Sequence, residues 1–337
     1  MREMINFVQI GLGPMGQKIC KLACEKKGME IVGALEKVNL GRDVGEVIGL
    51  DKRLNVALTN NLEAVLAMKA DIAVVSTLSS LEKIKDQLIP IIKAGVNVVS
   101  TCEELAYPWG TQTAIAEELH NLAKQNNVTV LGTGVNPGFC MDVFPIVMTG
   151  VCQNVEHVKV DRIQDARSRR LPFQKKIGAG LTLAEFEELK EAGTLRHVGL
   201  RESTDMIAAA MGWKVDEYSE PIKPIIAKEE VSSEYLKVKA GHAAGVEQIA
   251  IGKMKSKEVI RMTFRASLGA NESYDGISIK GKPNMEVIVK GGIQGDIGTA
   301  SMTVNAMPRV ICAPPGLLTM LDLPLVHSYK GDWSQLI

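Results

Sequence analysis

The sequence predicts an α/β chain: an N-terminal doubly wound parallel sheet, followed by an α+β second domain built on a largely antiparallel sheet. Three observations predict it. The apolar run Ile5–Ile10 ends in Gly11-x-Gly13-x-x-Gly16, the entry of a dinucleotide-binding strand into its first helix, which makes the first domain a Rossmann fold. Short apolar runs then alternate with helical patterns over the first 130 residues or so, as a parallel sheet requires. From Glu156 the pattern changes to period-two alternation between polar turns, as in antiparallel strands with one face packed.

The glycines have separable tasks. Gly11 permits the tight turn, Gly13 lets backbone N–H groups approach a pyrophosphate, and Gly16 lets the helix pack on the strand. Ile19, Leu22 and Ala23 give the next segment an apolar helical face, and a second strand, Met29–Leu35, ends in Glu36. An acidic side chain there accepts both ribose hydroxyls of NAD and repels a 2′-phosphate, for which Lys37 and Arg42 are the nearby cations. The expectation is NAD as the preferred cofactor, with NADP second.

Composition narrows the class. The 337 residues, with 46% hydrophobic content, suffice for two cores, and 39 acidic residues balance 39 basic ones. Zero net charge argues against nucleic-acid and membrane-surface roles, which need positive charge to meet phosphates. No apolar run is long enough to span a bilayer, and the N-terminus lacks the apolar core of a signal peptide, so a cytoplasmic enzyme is expected. The six cysteines form no CxxC pair and read as reduced, mostly buried thiols. No clustered metal-ligand set is present, so no metal is expected.

Along the chain, strands are expected at Val56–Leu58, Asp71–Ser76, Asn97–Ser100 and Thr129–Leu131. Helices are expected at Leu62–Met68, capped by Asn60 or Asn61, at Leu81–Ala94, opened by a Ser79-x-x-Glu82 capping box, and at Thr113–Gln125. Beyond the carboxyl ends of these strands lie Ser76-Thr77-Leu78, Thr101-Cys102-Glu103-Glu104 and the segment Gly132–Gly138, which reads as the crossing between domains. A helix is expected at Met141–Val151. Strands follow at His157–Ile163, Gln248–Met254, Val259–Ala266, Tyr274–Lys280 and Met285–Lys290, with helices at Leu183–Ala192 and Thr204–Met211. The tail, Gly298–Met320, reads as a helix and a return stopped by Pro308, Pro314 and Pro315. The expected division is 1–135 for the dinucleotide domain and 136–300 for substrate binding and oligomerisation, with the tail from about 300 packing back on the first.

Candidate chemistry concentrates in two places. Glu103 and Glu104 follow a strand, and in an extended segment only one of two adjacent carboxylates faces inward; the other reading is that one caps the helix that follows and the other is solvated. Cys102 is a nucleophile candidate, but no histidine lies nearby to activate it, and a structural thiol is the plainer reading. The stretch Arg162–Gly180 holds six cations and a glycine pair before the helix at Leu183, which describes either an anion site or a solvated loop. His197 and His242 are isolated, the usual setting of a structural histidine.

The segments GLGPMG, ALEKVNLGRDVGEVIGL, STCEELAYPW, GTGVNPGFCMD, KKIGAGLT and VNAMPRVICAPPGLLTMLDLP together resemble the 2,4-diaminopentanoate dehydrogenases, a branch of the dihydrodipicolinate reductase-like superfamily. GTGVNPGF and APPGLLTM are the more specific of these. The resemblance implies oxidative deamination of the C4 amine of 2,4-diaminopentanoate with NAD or NADP, in bacterial ornithine fermentation; related members act on simpler amines. It implies Glu104 as the catalytic carboxylate. The cofactor set expected is Gly11, Leu12, Gly13, Pro14, Met15, Gly16, Glu36, Lys37, Ser76, Thr77, Leu78, Thr101 and Asn136; the substrate set is Thr133, Asn136, Phe139, Arg162 and His197. KKIGAGLT stands where the reductases carry KxDAPSGTA but lacks its aspartate and serine, and Arg162–Arg170 contains no paired histidines, which argues against dihydrodipicolinate reduction. The expected partners are a small diamino acid or amine and further copies of the chain, as a homodimer or homotetramer. A cysteine-dependent semialdehyde dehydrogenase and a non-catalytic NAD sensor are the alternatives.

Overall fold

The computed structural model describes residues 4–337. The chain forms two units: the first runs to Phe139 and resumes at Gln294, and the second is Cys140–Ile293. Along the first unit lie β1 (Ile5–Ile10), α1 (Pro14–Cys24), β2 (Met29–Leu35), α2 (Val44–Val47), β3 (Leu58–Thr59), α3 (Leu62–Leu66), β4 (Ile72–Val75), α4 (Leu81–Lys93), β5 (Asn97–Ser100), α5 (Thr113–Gln125) and β6 (Thr129–Gly132). The second unit contributes α6 (Val143–Thr149), β7 (Asn154–Asp165), α7 (Leu171–Lys176), α8 (Leu183–Glu191), α9 (Leu200–Ala210), β8 (Glu217–Ser219), β9 (Ile222–Ile226), β10 (Val231–Ser232), β11 (Lys237–Val238), β12 (Ala243–Met254), β13 (Lys257–Ser267), β14 (Tyr274–Lys282) and β15 (Met285–Lys290). α10 (Gly295–Cys312) and β16 (Gly316–Leu318) return to the first unit.

The first sheet has the order β16-β6-β5-β4-β1-β2-β3, with every neighbouring pair parallel. Strand order reverses between β1 and β4, and the crevice at such a reversal is where open α/β sheets bind ligands. The inner strands are buried throughout, which is why they read as continuous apolar runs. On one side of the sheet Val8, Ile10, Val75 and Val98 pack with Leu81, Ile84, Leu88 and Ile91 of α4 and Leu119 of α5. α10 packs along α1, where Lys18 pairs with the buried Asp296 at 2.7 Å.

The second sheet has the order β15-β14-β7-β13-β12-β8, with β9 also paired to β12. Its pairs are antiparallel except β13 with β7. α8 opens with a complete capping box between Thr182 and Glu185, worth about 1 kcal/mol for the cap alone.

Three local expectations are corrected. Ser79-x-x-Glu82 is no capping box, since α4 begins after Ser80, whose side chain makes no cap bond. Pro308 does not stop the tail helix but lies buried inside α10, and three residues of the expected return form β16. Arg162–Gly180 is no loop: it holds the end of β7, a 3-10 turn at Ala166–Ser168 and α7. Asn61 does cap α3, its Oδ1 accepting from the Ala64 N–H at 3.1 Å.

Candidate active site

In the first unit a cavity of about 670 Å³ opens beyond the carboxyl ends of β1, β2 and β4. Gly11, Gly13, Glu36, Lys37, Ser76, Thr77 and Leu78 of the expected cofactor set line it. Asn60, Leu62 and Gln87 line it as well. These three fall just before the cap of α3, at the start of α3 and in the middle of α4, positions carrying no motif; Gln87 accepts a hydrogen bond from Thr77 Oγ1 at 2.8 Å.

The glycine loop has the shape a pyrophosphate needs. Gly11 adopts a φ of +85°, open to glycine at little cost. A Cβ at Gly16 would lie 2.1 Å from the Gly11 carbonyl oxygen, so only glycine lets α1 begin this close to β1. A Cβ at Gly13 would meet no atom within 4 Å, so this position keeps open space beside the cavity it lines. Glu36 closes the loop from the side: its Oε2 accepts from the Leu12 N–H at 2.5 Å and its Oε1 from the Lys37 N–H at 2.7 Å. The residues therefore fit a dinucleotide, with Glu36 on the wall of the cavity. Pro14, Met15 and Gly16 belong to the first turn of α1, and Leu12 acts through its N–H; none of the four lines the cavity.

Glu103–Leu105 is a 3-10 turn rather than an extended segment, so the two acids diverge by about a third of a turn instead of pointing to opposite sides. The Glu104 N–H is bonded to Ser79 O at 3.3 Å, in the loop that leads from the cavity to α4. Its Oε2 accepts from the Leu81 N–H at the start of α4 and from Gln112 Nε2, each at 2.8 Å. Glu104 thus supplies the cap that Ser80 does not, placing its charge at the positive end of a 13-residue helix. The helix capped is α4, which precedes the pair in sequence, and not the helix that follows it, where the structural reading of the pair placed the cap.

The segment Gly132–Gly138 is a buried turn folded on itself. Gly138, at φ +120°, leaves no room for a Cβ, which would lie 2.5 Å from the Gly134 nitrogen. Thr133 and Asn136 are buried here, 3% and 9% exposed, and the Thr133 N–H is tied to Ser100 O at 2.8 Å. Thr101 likewise holds the β4–β5 region through its N–H, bonded to Val75 O at 3.1 Å. Phe139, half-buried, ends the first stretch of this unit.

In the second unit the expected anion site is reorganised. Arg162 on β7 is 2% exposed, its Nη1 paired with Asp275 Oδ1 at 2.6 Å and its Nη2 donating to Ile293 O at 2.8 Å. Its charge is paired in a buried setting. Strand register sets Asp275, Arg162, Phe264 and Gln248 in one row. His197 stacks on Phe264 with ring centroids 4.3 Å apart, and the Gln248 amide clamps the His197 backbone, accepting from its N–H at 2.8 Å and donating to its carbonyl at 2.9 Å. Desolvation, then the charges of Lys176, Arg162 and Arg169, lower the His197 pKa to about 3, so its ring is neutral at physiological pH. Arg169 lies over the Phe173 ring at 4.0 Å and donates to Gln164 Oε1 at 3.0 Å. No motif marks Gln248, Phe264 or Asp275, whose partners are 51 to 113 residues away.

Burial raises the Cys102 thiol far above its ordinary range and pushes that of Cys140 up to about 12, so neither is a thiolate nucleophile at neutral pH. Among the described residues no group of three or more His, Cys, Asp or Glu is placed to hold a metal, and no helix is long and apolar enough to cross a membrane.

Comparison with known proteins agrees with this architecture. Residues 139–337 match the 2,4-diaminopentanoate dehydrogenase C-terminal domain, and residues 5–131 match the dihydrodipicolinate reductase N-terminus. The chain is 33% identical to a 2,4-diaminopentanoate dehydrogenase of Acetoanaerobium sticklandii over 99% of its length and 98% of the relative's. It belongs to the 2,4-diaminopentanoate dehydrogenase family. An amine dehydrogenase of Streptomyces virginiae is 23% identical, covering 96% of this chain and 97% of that one. The solved structure of an amine dehydrogenase from Mycobacterium smegmatis superposes with a TM-score of 0.85 at 26% identity, covering 96% and 97% of the two chains. As a member of this family the chain is an oxidoreductase, a dehydrogenase acting on amines.

Buried, protonated cysteines lead to a direct expectation. Iodoacetamide at pH 8 leaves catalytic activity unchanged while it labels exposed Cys312. Activity lost in step with labelling of Cys102 or Cys140, followed by peptide mass spectrometry, would contradict it.

Proposed function

We propose that the chain carries out NAD(P)-dependent oxidative deamination of the C4 amine of 2,4-diaminopentanoate to 2-amino-4-oxopentanoate and ammonia, as a step of ornithine degradation, with reductive amination as the reverse. NAD is the preferred cofactor. The observation that carries this reading is the Glu104 carboxylate, anchored to the loop after β4 that also lines the dinucleotide cavity. The full-length similarity to a 2,4-diaminopentanoate dehydrogenase supports the choice of substrate.

The chemistry explains why one carboxylate suffices. An alkyl ammonium has a pKa of roughly 10, and only the neutral amine releases hydride readily from its carbon. A bound nicotinamide would accept that hydride from C4. Glu104 first pairs with the ammonium, takes its proton and releases it to solvent. As a carboxylate again it takes a proton from the water that adds to the iminium, then returns that proton to the nitrogen of the carbinolamine, whose collapse gives ketone and ammonia. Oε2 accepts from Leu81 and Gln112, and the proposed proton carrier is the carboxylate they hold. His197, being neutral, serves as an uncharged hydrogen-bonding group. The cations from Arg162 to Lys176 remain the proposed group for the substrate carboxylate. Thr133, Asn136 and Phe139 remain proposed substrate neighbours, and Asn136 and Thr101 proposed cofactor neighbours. The partly exposed face of the second sheet, with Ile288 at 55% exposure, is the proposed surface for a homodimer or homotetramer in the cytoplasm.

One observation favours a second reading, a dehydrogenase of simpler amines: the closed Arg162–Asp275 pair leaves fewer cations for a carboxylate. The test is spectrophotometric NAD reduction with 2,4-diaminopentanoate and with an amine of similar size lacking the carboxylate. On the first reading the plain amine has a KM roughly 10- to 150-fold higher, the equivalent of one charged hydrogen bond; equal values select the second. Glu104→Gln should lower kcat by roughly 10²–10⁴ with little change in cofactor affinity, and Glu103→Gln by no more than a fewfold. The opposite ranking would move the base to Glu103, and two active variants would remove the mechanism.

Glu36→Ser should shift preference toward NADP by removing the charge that opposes a 2′-phosphate. Unchanged kcat/KM ratios for the two cofactors would place the ribose elsewhere.

A further inference from the structure

Two helix starts meet at Glu104, and in both the residue before the helix leaves its usual task undone. Ser80 precedes α4 and makes no side-chain cap bond; the Leu81 N–H goes to Glu104 Oε2 instead. Gln112 precedes α5 and makes no cap bond either; its Nε2 donates to the same oxygen at 2.8 Å. We infer that Gln112 is a positioning residue for the Glu104 carboxylate, fixing with the start of α4 which oxygen, and which direction, Glu104 offers to the amine. The inference rests on the proposed role of Glu104 as the base.

The seat of Gln112 is rigid enough for this task. Its own N–H is bonded to Pro108 O at 2.9 Å, at the head of the 3-10 turn Pro108–Gly110, and Thr113 Oγ1 donates to Trp109 O at 3.0 Å. The Glu104 side is equally fixed. Its N–H is bonded to Ser79 O, and the turn lies so close to β6 that a Cβ on Gly132 would come within 2.4 Å of the Leu105 carbonyl carbon. Backbone on both sides is held, so what Gln112 Nε2 acts on is the side-chain torsions of Glu104. Its bond to Oε2 from the start of α5, beside that of the Leu81 N–H from the start of α4, restrains those torsions from a second direction. A base that must serve the ammonium and later the water needs the same oxygen in the same place for both steps.

The experiment is a double-mutant cycle on the full-length enzyme in the amine-oxidising direction. Gln112→Met keeps length and removes the donor; it should lower kcat about 10- to 100-fold, leaving the KM for the amine and the dissociation constant for NAD within about twofold. Placed on Glu104→Gln, the same substitution should have no further effect on kcat, because the group it positions is already gone. Gln112→Lys restores a donor of sufficient reach but brings a cation that lowers the carboxylate's pKa, so it should recover part of the lost kcat and move the pH profile to lower pH. If Gln112→Met unfolds the protein, Gln112→Ala is measured in its place, accepted only at wild-type Tm and NAD affinity. The inference is overturned by wild-type kcat in the donor-less variant, or by a loss that adds in full to that of Glu104→Gln. Full activity of Glu104→Gln alone overturns instead the assignment of Glu104 as base, so the two failures are separable.

Discussion

The carbonyl oxygen of Gly11 is where the first unit is tied together. It accepts from Gln9 Nε2 and Ser76 Oγ, each at 2.9 Å, and Gln9 also donates to Ser76 Oγ at 2.8 Å. The same oxygen sits against Gly16, where any side chain would collide with it. One atom therefore joins the end of β1, the start of α1 and the loop after β4, the three pieces that border the cavity. Gln9 is wholly buried, so its polar group is accepted inside the core only because this oxygen and the serine satisfy its donors. Glu36 then fixes the outer edge of the same loop through the Leu12 N–H.

From that point the arrangement runs outward in sequence. The loop that begins at Ser76 passes Thr77 and Leu78 beside the cavity, binds the Glu104 N–H at Ser79 and ends at Leu81, whose own N–H holds the carboxylate. Cofactor loop and acid are thus set by one short stretch of backbone. The second unit uses a different device: a cross-strand row of Asp275, Arg162, Phe264 and Gln248, with the loop at His197 clamped on top.

What was legible in the sequence was local. Asn97–Ser100, Thr113–Gln125 and Met285–Lys290 are read to the residue, because buried strands, amphipathic helices and alternating strands each leave their own periodicity. The glycines and Glu36 are legible because their tasks depend on near neighbours in the chain. What was not legible depends on distant partners. Nothing near Arg162 announces that Asp275, 113 residues on, consumes its charge. Nothing near Ser79 shows that an acid 23 residues beyond Leu81 caps the helix in place of a serine. Pro308 reads as a stop because proline usually is one. Its burial inside α10 is a tertiary matter, as is the promotion of Gly316–Leu318 to a strand by pairing with β6.

The first unit is discontinuous: it breaks off at Phe139 and resumes at Gln294. During synthesis, β6 emerges with one edge unpaired and stays so until β16, nearly 190 residues later, reaches it. The face of β4, β5 and β6 that α10 covers is bare over the same interval. The inserted unit holds all its strands within Cys140–Ile293 and can complete its sheet while the first is still waiting. The first sheet to start is therefore the last to be completed. A nascent chain stalled before residue 295 is a folded insert carried on an unfinished nucleotide fold, with an exposed sheet edge that invites a chaperone or a neighbouring chain.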